Sequence, residues 1–418
     1  MHKKILTYEI GKNFIWRALQ IFGKQGITFL IFILCAKLLT PYDFGIYNYA
    51  LAIIFFLIMF GDFGISTATS KYVAEYNAID KEKLKSILFN SGIIILGLTI
   101  IITILTLIIG PWYLQDKYVY VLWLLPLIFL ASMTSLYDGI YRGLKRFKQL
   151  AIISLVIGFI SLFFVYFLIK AYGLMGALIS QNLFYLILLF GLAFGYKEFN
   201  FKWNKKIVNE IGSYSAIVGL AGLGYFLFTR LDVLLLGYYG YIVELGYYEI
   251  VNKIFLLILL PFTLFAQVIS PDITSLYFRR KKEIVKRLYK RYFLISAIVS
   301  LFAVALIFLL FPEIMKVLFS QYYNSLALKI MNFLLIILVT QCIATVVSTG
   351  FAISTGHAKI NTYFLLVFGF LNIPVTFIFI KLFGFMGAVY STLLIRLTSD
   401  IIYFYVYTRL LWGKNEII

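Results

Sequence analysis

Charge is scarce in this chain. Only 13% of its 418 residues are Asp, Glu, Lys or Arg, and the acidic residues number 18 against 37 basic ones. A nucleic-acid binder clusters its bases on one folded face; here they sit in short segments between apolar runs, which excludes nucleic acid as a partner. Histidine is nearly absent, with His2 and His357 alone, so no histidine metal site is expected. Cys35 and Cys342 both fall inside apolar runs and read as small buried hydrophobes, not as a disulfide. No Walker-type phosphate loop is present, which argues against an ATP-driven pump within the chain. No long hydrophilic loop carries paired carboxylates, and no enzyme site is expected. The start of the chain, Met1 to Arg17, is basic and amphipathic without a small-residue cleavage pattern, and reads as the beginning of the first helix and not as a signal peptide.

Apolar residues make up 62% of the chain. A water-soluble fold of this size cannot hide so much apolar surface, whereas a bilayer removes that limit. The apolar runs recur at near-regular spacing, and most approach the roughly 20 residues that cross a hydrocarbon core about 30 Å thick. They predict an all-α integral membrane protein of about twelve spans, near 14–38, 46–71, 87–110, 119–140, 149–169, 174–195, 211–237, 246–270, 290–311, 328–353, 360–381 and 384–409. Pro111, Pro271 and Pro312 are expected to close the third, eighth and ninth spans.

Basic residues alternate between sides. One side carries 27 of them, densest from Arg279 to Arg291; the other carries six, Lys37, Lys117, Lys170, Lys316, Lys329 and Lys381. By the positive-inside rule the rich side is cytoplasmic, with both termini there, in a multi-pass cell-membrane protein. An internal repeat is also visible. YGLMGALIS at 172–180 returns as FGFMGAVYS at 383–391, with five identities in nine positions and an offset of 211, and Gly143 is more weakly echoed by Gly356. The chain therefore reads as two six-helix bundles, 1–195 and 211–418, joined by a cytoplasmic connector at 196–210. An even number of spans per half makes the repeat parallel, with a pseudo-two-fold axis along the membrane normal.

Ionisable residues within spans are costly and default to functional candidates. Seven stand out: Lys24, Asp62, Arg230, Asp232, Lys253, Arg396 and Asp400. Lys24 and Asp62 lie at similar depth on adjacent spans and could pair. Arg396 and Asp400 are four apart, on one helix face, and could neutralise each other. Arg230 and Asp232 are two apart, do not share a face, and require partners elsewhere. With Lys253 they make a cluster of surplus positive charge, suited to an anionic headgroup. The bland reading of Lys24 is an amine reaching back to the interface.

PYDFGIYNYA (41–50), FGDFGIS (60–66), TRLDVLLLG (229–237) and ELGYYEI (244–250), in this order and spacing, resemble polysaccharide-biosynthesis flippases. These are the Wzx-type members of the multidrug/oligosaccharidyl-lipid/polysaccharide exporter (MOP) superfamily, and the similarity covers essentially the whole chain. The resemblance implies a MATE-like pair of bundles and movement of a lipid-linked saccharide between leaflets by alternating access. It also implies cationic residues that meet the substrate's phosphates, for which Lys24, Arg230, Lys253 and Arg396 are candidates. No cofactor is expected, while a proton or sodium as coupling ion stays open; expected partners are the bilayer, the lipid-linked saccharide and glycan-assembly enzymes. The alternatives are a cation-coupled multidrug exporter and a non-transporting scaffold of a glycan-assembly complex.

Overall fold

The computed structural model describes residues 2–413, with side chains from Trp16 onward other than positions 17, 18 and 22. The basic side chains of Lys3, Lys4, Lys12, Arg17 and Lys414 lie outside that description. Among the described residues thirteen α-helices follow one another: α1 (His2–Leu38), α2 (Pro41–Asp62), α3 (Ile65–Ile79), α4 (Lys81–Leu114), α5 (Tyr118–Leu124), α6 (Pro126–Gly143), α7 (Phe147–Gly195), α8 (Lys205–Tyr238), α9 (Ile242–Phe278), α10 (Lys282–Leu318), α11 (Ser325–Thr345), α12 (Ala358–Phe383) and α13 (Phe385–Trp412). No strand occurs among the described residues. An unpaired backbone group in hydrocarbon costs several kcal/mol, and a helix pairs its own.

Among the described residues, ten helical stretches are long and apolar enough to cross a membrane. The longest, α7, is two spans in one, broken where Gly173 leaves helical geometry (φ 54°, ψ −129°). α5 and α6 together supply a further crossing, interrupted at Pro126. Counted this way, the described residues hold twelve candidate crossing segments, each overlapping one expected from the apolar runs. α4 and α10 leave most of their apolar windows uncovered by protein, as lipid-facing helices do.

The expected ends are corrected at three prolines. Pro111, Pro271 and Pro312 lie inside α4, α9 and α10, which run on to Leu114, Phe278 and Leu318. Membrane helices tolerate proline where neighbouring groups re-satisfy the freed carbonyl. The second span also differs from expectation, because its helix stops at Asp62. Phe63 (φ 36°) and Gly64 (φ 80°) turn the chain, and α3 restarts at Ile65.

The chain separates into two compact units, Met1–Leu223 and Gly224–Ile418, with the division inside α8. In the first unit, Ile87, Leu136, Ile140, Leu150 and Leu192 form a core that also takes Ile207 and Ile211 from the start of α8. The stretch expected as a connector packs on this unit. Asn90 donates to the Lys202 carbonyl (2.9 Å) and accepts from the Asn204 amide (2.9 Å), and the Asn200 amide reaches the Lys85 carbonyl (2.8 Å). The second unit buries Val251, Phe255, Ala266, Leu334, Leu338 and Ile395.

The repeat has a backbone basis. Gly384 (φ 59°, ψ −143°) adopts nearly the geometry of Gly173. Three residues on, Gly176 and Gly387 lie against carbonyls eight positions back; an added Cβ would stand 1.9 Å from the Leu168 oxygen and 2.0 Å from the Phe379 oxygen. Ser180 and Ser391, both buried, donate to Ala177 (2.7 Å) and Ala388 (2.9 Å). Each unit thus makes the same sharp reversal between its last two spans, and only glycine fits its tightest point.

Candidate functional site

In the second unit, charged side chains from α8, α9 and α13 form a network that includes Asp232, joined by Gln341 of α11. On α13, Thr392, Arg396 and Asp400 recur every fourth residue and form one inward stripe. On α9, Glu249 and Lys253 share a face by the same spacing, with Tyr248 alongside Glu249. Asp232 is buried. It accepts from the Val233 amide (2.9 Å), the Tyr248 hydroxyl and the Thr392 hydroxyl (3.3 Å). Its neighbour Arg230 points elsewhere and pairs with Glu249 (Nη1–Oε1 2.6 Å). The requirement that two residues two apart find separate partners is met.

Arg396 is buried, with 5% of its surface exposed. Its Nη2 donates weakly to the Thr229 carbonyl (3.4 Å), and its guanidinium sits 5.7 Å from the centre of the Phe255 ring. Its Nε has no hydrogen-bond partner. Asp400, one turn on, does not pair with it and instead accepts on both oxygens from Gln341 of α11 (2.9 Å each). A guanidinium carries five donors, so Arg396, buried with a single weak bond, has hydrogen-bonding capacity left over.

The surplus positive charge expected here does not survive. Glu249 enters the cluster, and Arg230, Lys253 and Arg396 are matched by Asp232, Glu249 and Asp400. Burying like charges without counter-charge costs far more than burying pairs, which accounts for the balance. The sequence carried a signal for Glu249. DFGIYNYA (43–50) and ELGYYEIV (244–251) align at an offset of 201, placing Tyr47 at Tyr248 and Asn48 at Glu249.

That alignment also shows what the first unit lacks. There, the Tyr47 hydroxyl accepts from Gln181 (2.6 Å), which stands 211 positions before Thr392. Asn48 donates to its own helix at the Phe44 carbonyl (2.7 Å), Ala52 matches Lys253, and Tyr185 matches Arg396. The two units share the tyrosine and its α13-type partner, but only the second one is charged.

The first unit's candidates are not brought together. Lys24 is exposed on α1 and does not pair with Asp62. Asp62 accepts from the Ser66 amide (2.9 Å) and hydroxyl (2.6 Å), capping α3 where the second span breaks. The membrane-embedded charge that sequence reading missed in this unit is Asp138. It accepts from Gln20 (3.1 Å) and pairs with Arg142 one turn along α6 (2.7 Å). Gly64 explains the rest of the FGDFGIS motif, since an added Cβ there would meet the Ser215 carbonyl and the Gly219 amide at 2.8 Å.

The family model described as polysaccharide biosynthesis protein matches residues 10–277. The chain belongs to that family. Two uncharacterized membrane proteins of Methanocaldococcus jannaschii are similar in sequence to this chain. One is 24% identical over 416 residues, covering 94% of this chain and 97% of its own length. The other is 23% identical over 445 residues, covering 97% and 84%. Among solved structures, a multidrug resistance MATE family transporter of the MOP superfamily in an inward-facing conformation superposes with a TM-score of 0.80 at 15% identity, covering 94% of this chain and 98% of its own. A MOP superfamily transporter from Pyrococcus furiosus, described as having a binding pocket of reversed polarity, gives 0.66 at 15% identity, covering 96% and 95%. At such identities the likeness is one of fold. Family and fold make this chain a multi-pass membrane protein of the polysaccharide biosynthesis family, with the fold seen in MOP superfamily transporters.

Proposed function

We propose that this transporter moves a lipid-linked saccharide from the cytoplasmic to the outer leaflet, its basic loops and both termini facing the cytoplasm. The observation that carries the reading is the match to the polysaccharide biosynthesis family over residues 10–277. The network of the second unit is consistent with it. A sugar-phosphate headgroup needs many donors and acceptors to replace its water. Arg396 offers an unused Nε beside the Phe255 ring, and Tyr248, Thr392 and Gln341 supply neutral hydrogen-bonding groups around it. An inside-negative potential would favour outward movement of an anionic headgroup by about 2.3 kcal/mol per charge per 100 mV. No enzyme chemistry or bound cofactor enters this scheme.

The test is reconstitution in vesicles with a fluorescent polyprenyl-pyrophosphate saccharide, measuring how fast it becomes accessible to quencher on the far side. Wild-type chain should accelerate this, and Arg396→Lys, which keeps the charge but loses the fork, should slow it about tenfold. A chain that leaves the lipid-linked saccharide in place but expels cationic dyes would refute the proposal. The second reading, a cation-coupled multidrug exporter, is favoured by one observation, the equal numbers of acids and bases in the network. Drug susceptibility of a pump-deficient host expressing the chain separates the two.

A further inference from the structure

The two units carry matching grooves at equivalent places, and the grooves differ in charge. In the first unit Leu88, Phe89, Gly92 and Ile93 of α4 line a groove that Phe201 closes, its ring edge-on to Phe89 at 5.6 Å. In the second, 201 positions later, Tyr289, Lys290, Phe293 and Leu294 of α10 line an open groove of about 720 Å³. Its far wall is Phe404, Tyr405, Arg409 and Trp412 of α13, and Trp412 is the counterpart of Phe201 at the offset of 211. Where the first groove seals ring against ring, the second holds the Lys290 ammonium 5.6 Å from the centre of the Trp412 ring.

Lys290 is exposed and makes no ion pair among the described residues, and Arg409 bonds only the Tyr405 hydroxyl (3.3 Å). Lys286 stands 6.0 Å from the same Trp412 ring. Below these cations the walls are apolar: Leu294 is exposed, and Phe293 and Phe404 are half-buried with their rings in contact at 5.5 Å. Cations at one end and a hydrocarbon wall beneath are the complement of a lipid with an anionic head.

We propose that the α10–α13 groove binds one anionic glycerophospholipid, its phosphate held by Lys290 and Arg409 and its acyl chains laid along Phe293, Leu294 and Phe404. This site stands apart from the Asp232 network and does not depend on which substrate the transporter carries. Trp412 makes it observable. The full chain bearing W16F, W112F, W123F and W203F has Trp412 as its single tryptophan. In nanodiscs of phosphatidylcholine, brominated phosphatidylglycerol should quench Trp412 saturably at low mole fraction, and brominated phosphatidylcholine should not. In K290A/R409A the half-saturating fraction should rise about tenfold. R279A/R287A, which removes two charges from the same basic segment outside the groove, should leave it unchanged.

Equal quenching by the two lipids, or saturation unaltered in K290A/R409A, overturns the site. Loss in R279A/R287A as large as in K290A/R409A overturns it in favour of general surface attraction. Relief of quenching by millimolar inorganic phosphate also overturns it, because the groove would then read phosphate and not a lipid. If the single-tryptophan chain aggregates, native mass spectrometry of the wild type, K290A/R409A and R279A/R287A decides. Retained phosphatidylglycerol should be lost only from the groove variant.

Discussion

Glutamine at position 249 isolates the charge that balances the second unit. Arg230→Ala is a poorer probe, because it strands a buried carboxylate, whereas Glu249→Gln keeps shape and leaves Arg230 and Lys253 without the acid on α9. At 2.6 Å and an effective dielectric constant of about 20, the direct attraction has a ceiling near 6 kcal/mol. Arg230 is 33% exposed and Glu249 7%, so water supports part of the cation's charge once its partner is gone. Breaking a buried pair costs about 3–5 kcal/mol and an exposed pair under about 1. The geometry lies between, and a loss of about 2 kcal/mol follows. The assay is a double-mutant cycle on Arg230→Gln and Glu249→Gln, read by unfolding of the purified protein in mild detergent. A coupling of about 2 kcal/mol is expected, with the double variant more stable than the sum of the single losses implies. Coupling below about 0.5 kcal/mol would show that the two groups are solvated independently, and the charge-balance argument would fail with it.

Gly176→Ala and Gly387→Ala should each destabilise by about 3 kcal/mol, and by similar amounts, since each puts a methyl near 2 Å from a carbonyl oxygen; Gly97→Ala, with nothing within 4 Å, should be neutral or slightly stabilising. Thermal unfolding checks all three. Asn90→Leu should free the 200–204 stretch by removing bonds to Lys202 and Asn204, seen as faster amide exchange there while α10 is unaffected. His357 lies between spans, where burial holds its pKa below the ordinary 6.5. The unfolded chain therefore takes up the proton first, so stability present above about pH 6.5 falls as pH drops below it and levels off once the folded form also protonates. His357→Gln should flatten that part of the stability–pH curve.

Much of the fold was legible because a bilayer imposes a length and a composition on every crossing. The twelve segments and the reversal at Gly173 and Gly384 could be read from apolar runs and one nine-residue repeat. Helix ends could not, since α4, α9 and α10 continue past their prolines, and proline is a weaker stop in a membrane helix than in water. The site was legible in its ingredients and not in its pairing. Arg230, Asp232, Lys253, Arg396 and Asp400 stand out as charges in apolar sequence, but which acid meets which base depends on helix rotation. Arg396 and Asp400 share a face and still do not pair, because Gln341 of another helix takes the carboxylate. Glu249 was overlooked although it sits four before Lys253, a spacing that places the two on one face. Asp62 looked like a buried charge in a continuous span and instead caps a helix that starts after a break.

Duplication explains why the charged network can exist at all. The two units keep the parts that fix backbone shape, namely the reversal glycines, the serines after them, and the tyrosine with its partner 134 positions later in the first unit and 144 in the second. They differ where side chains only fill space between those fixed points. Asn48, Ala52 and Tyr185 show that this architecture packs without charge at the positions of Glu249, Lys253 and Arg396. Buried charges are weak contributors to stability against apolar or neutral replacements of similar size. A neutral solution is therefore present in the same molecule, and stability alone does not account for ionisable side chains at Glu249, Lys253 and Arg396 in the second unit. Their presence requires something that stability does not supply, and the transport proposed above would supply it if these groups meet what is carried.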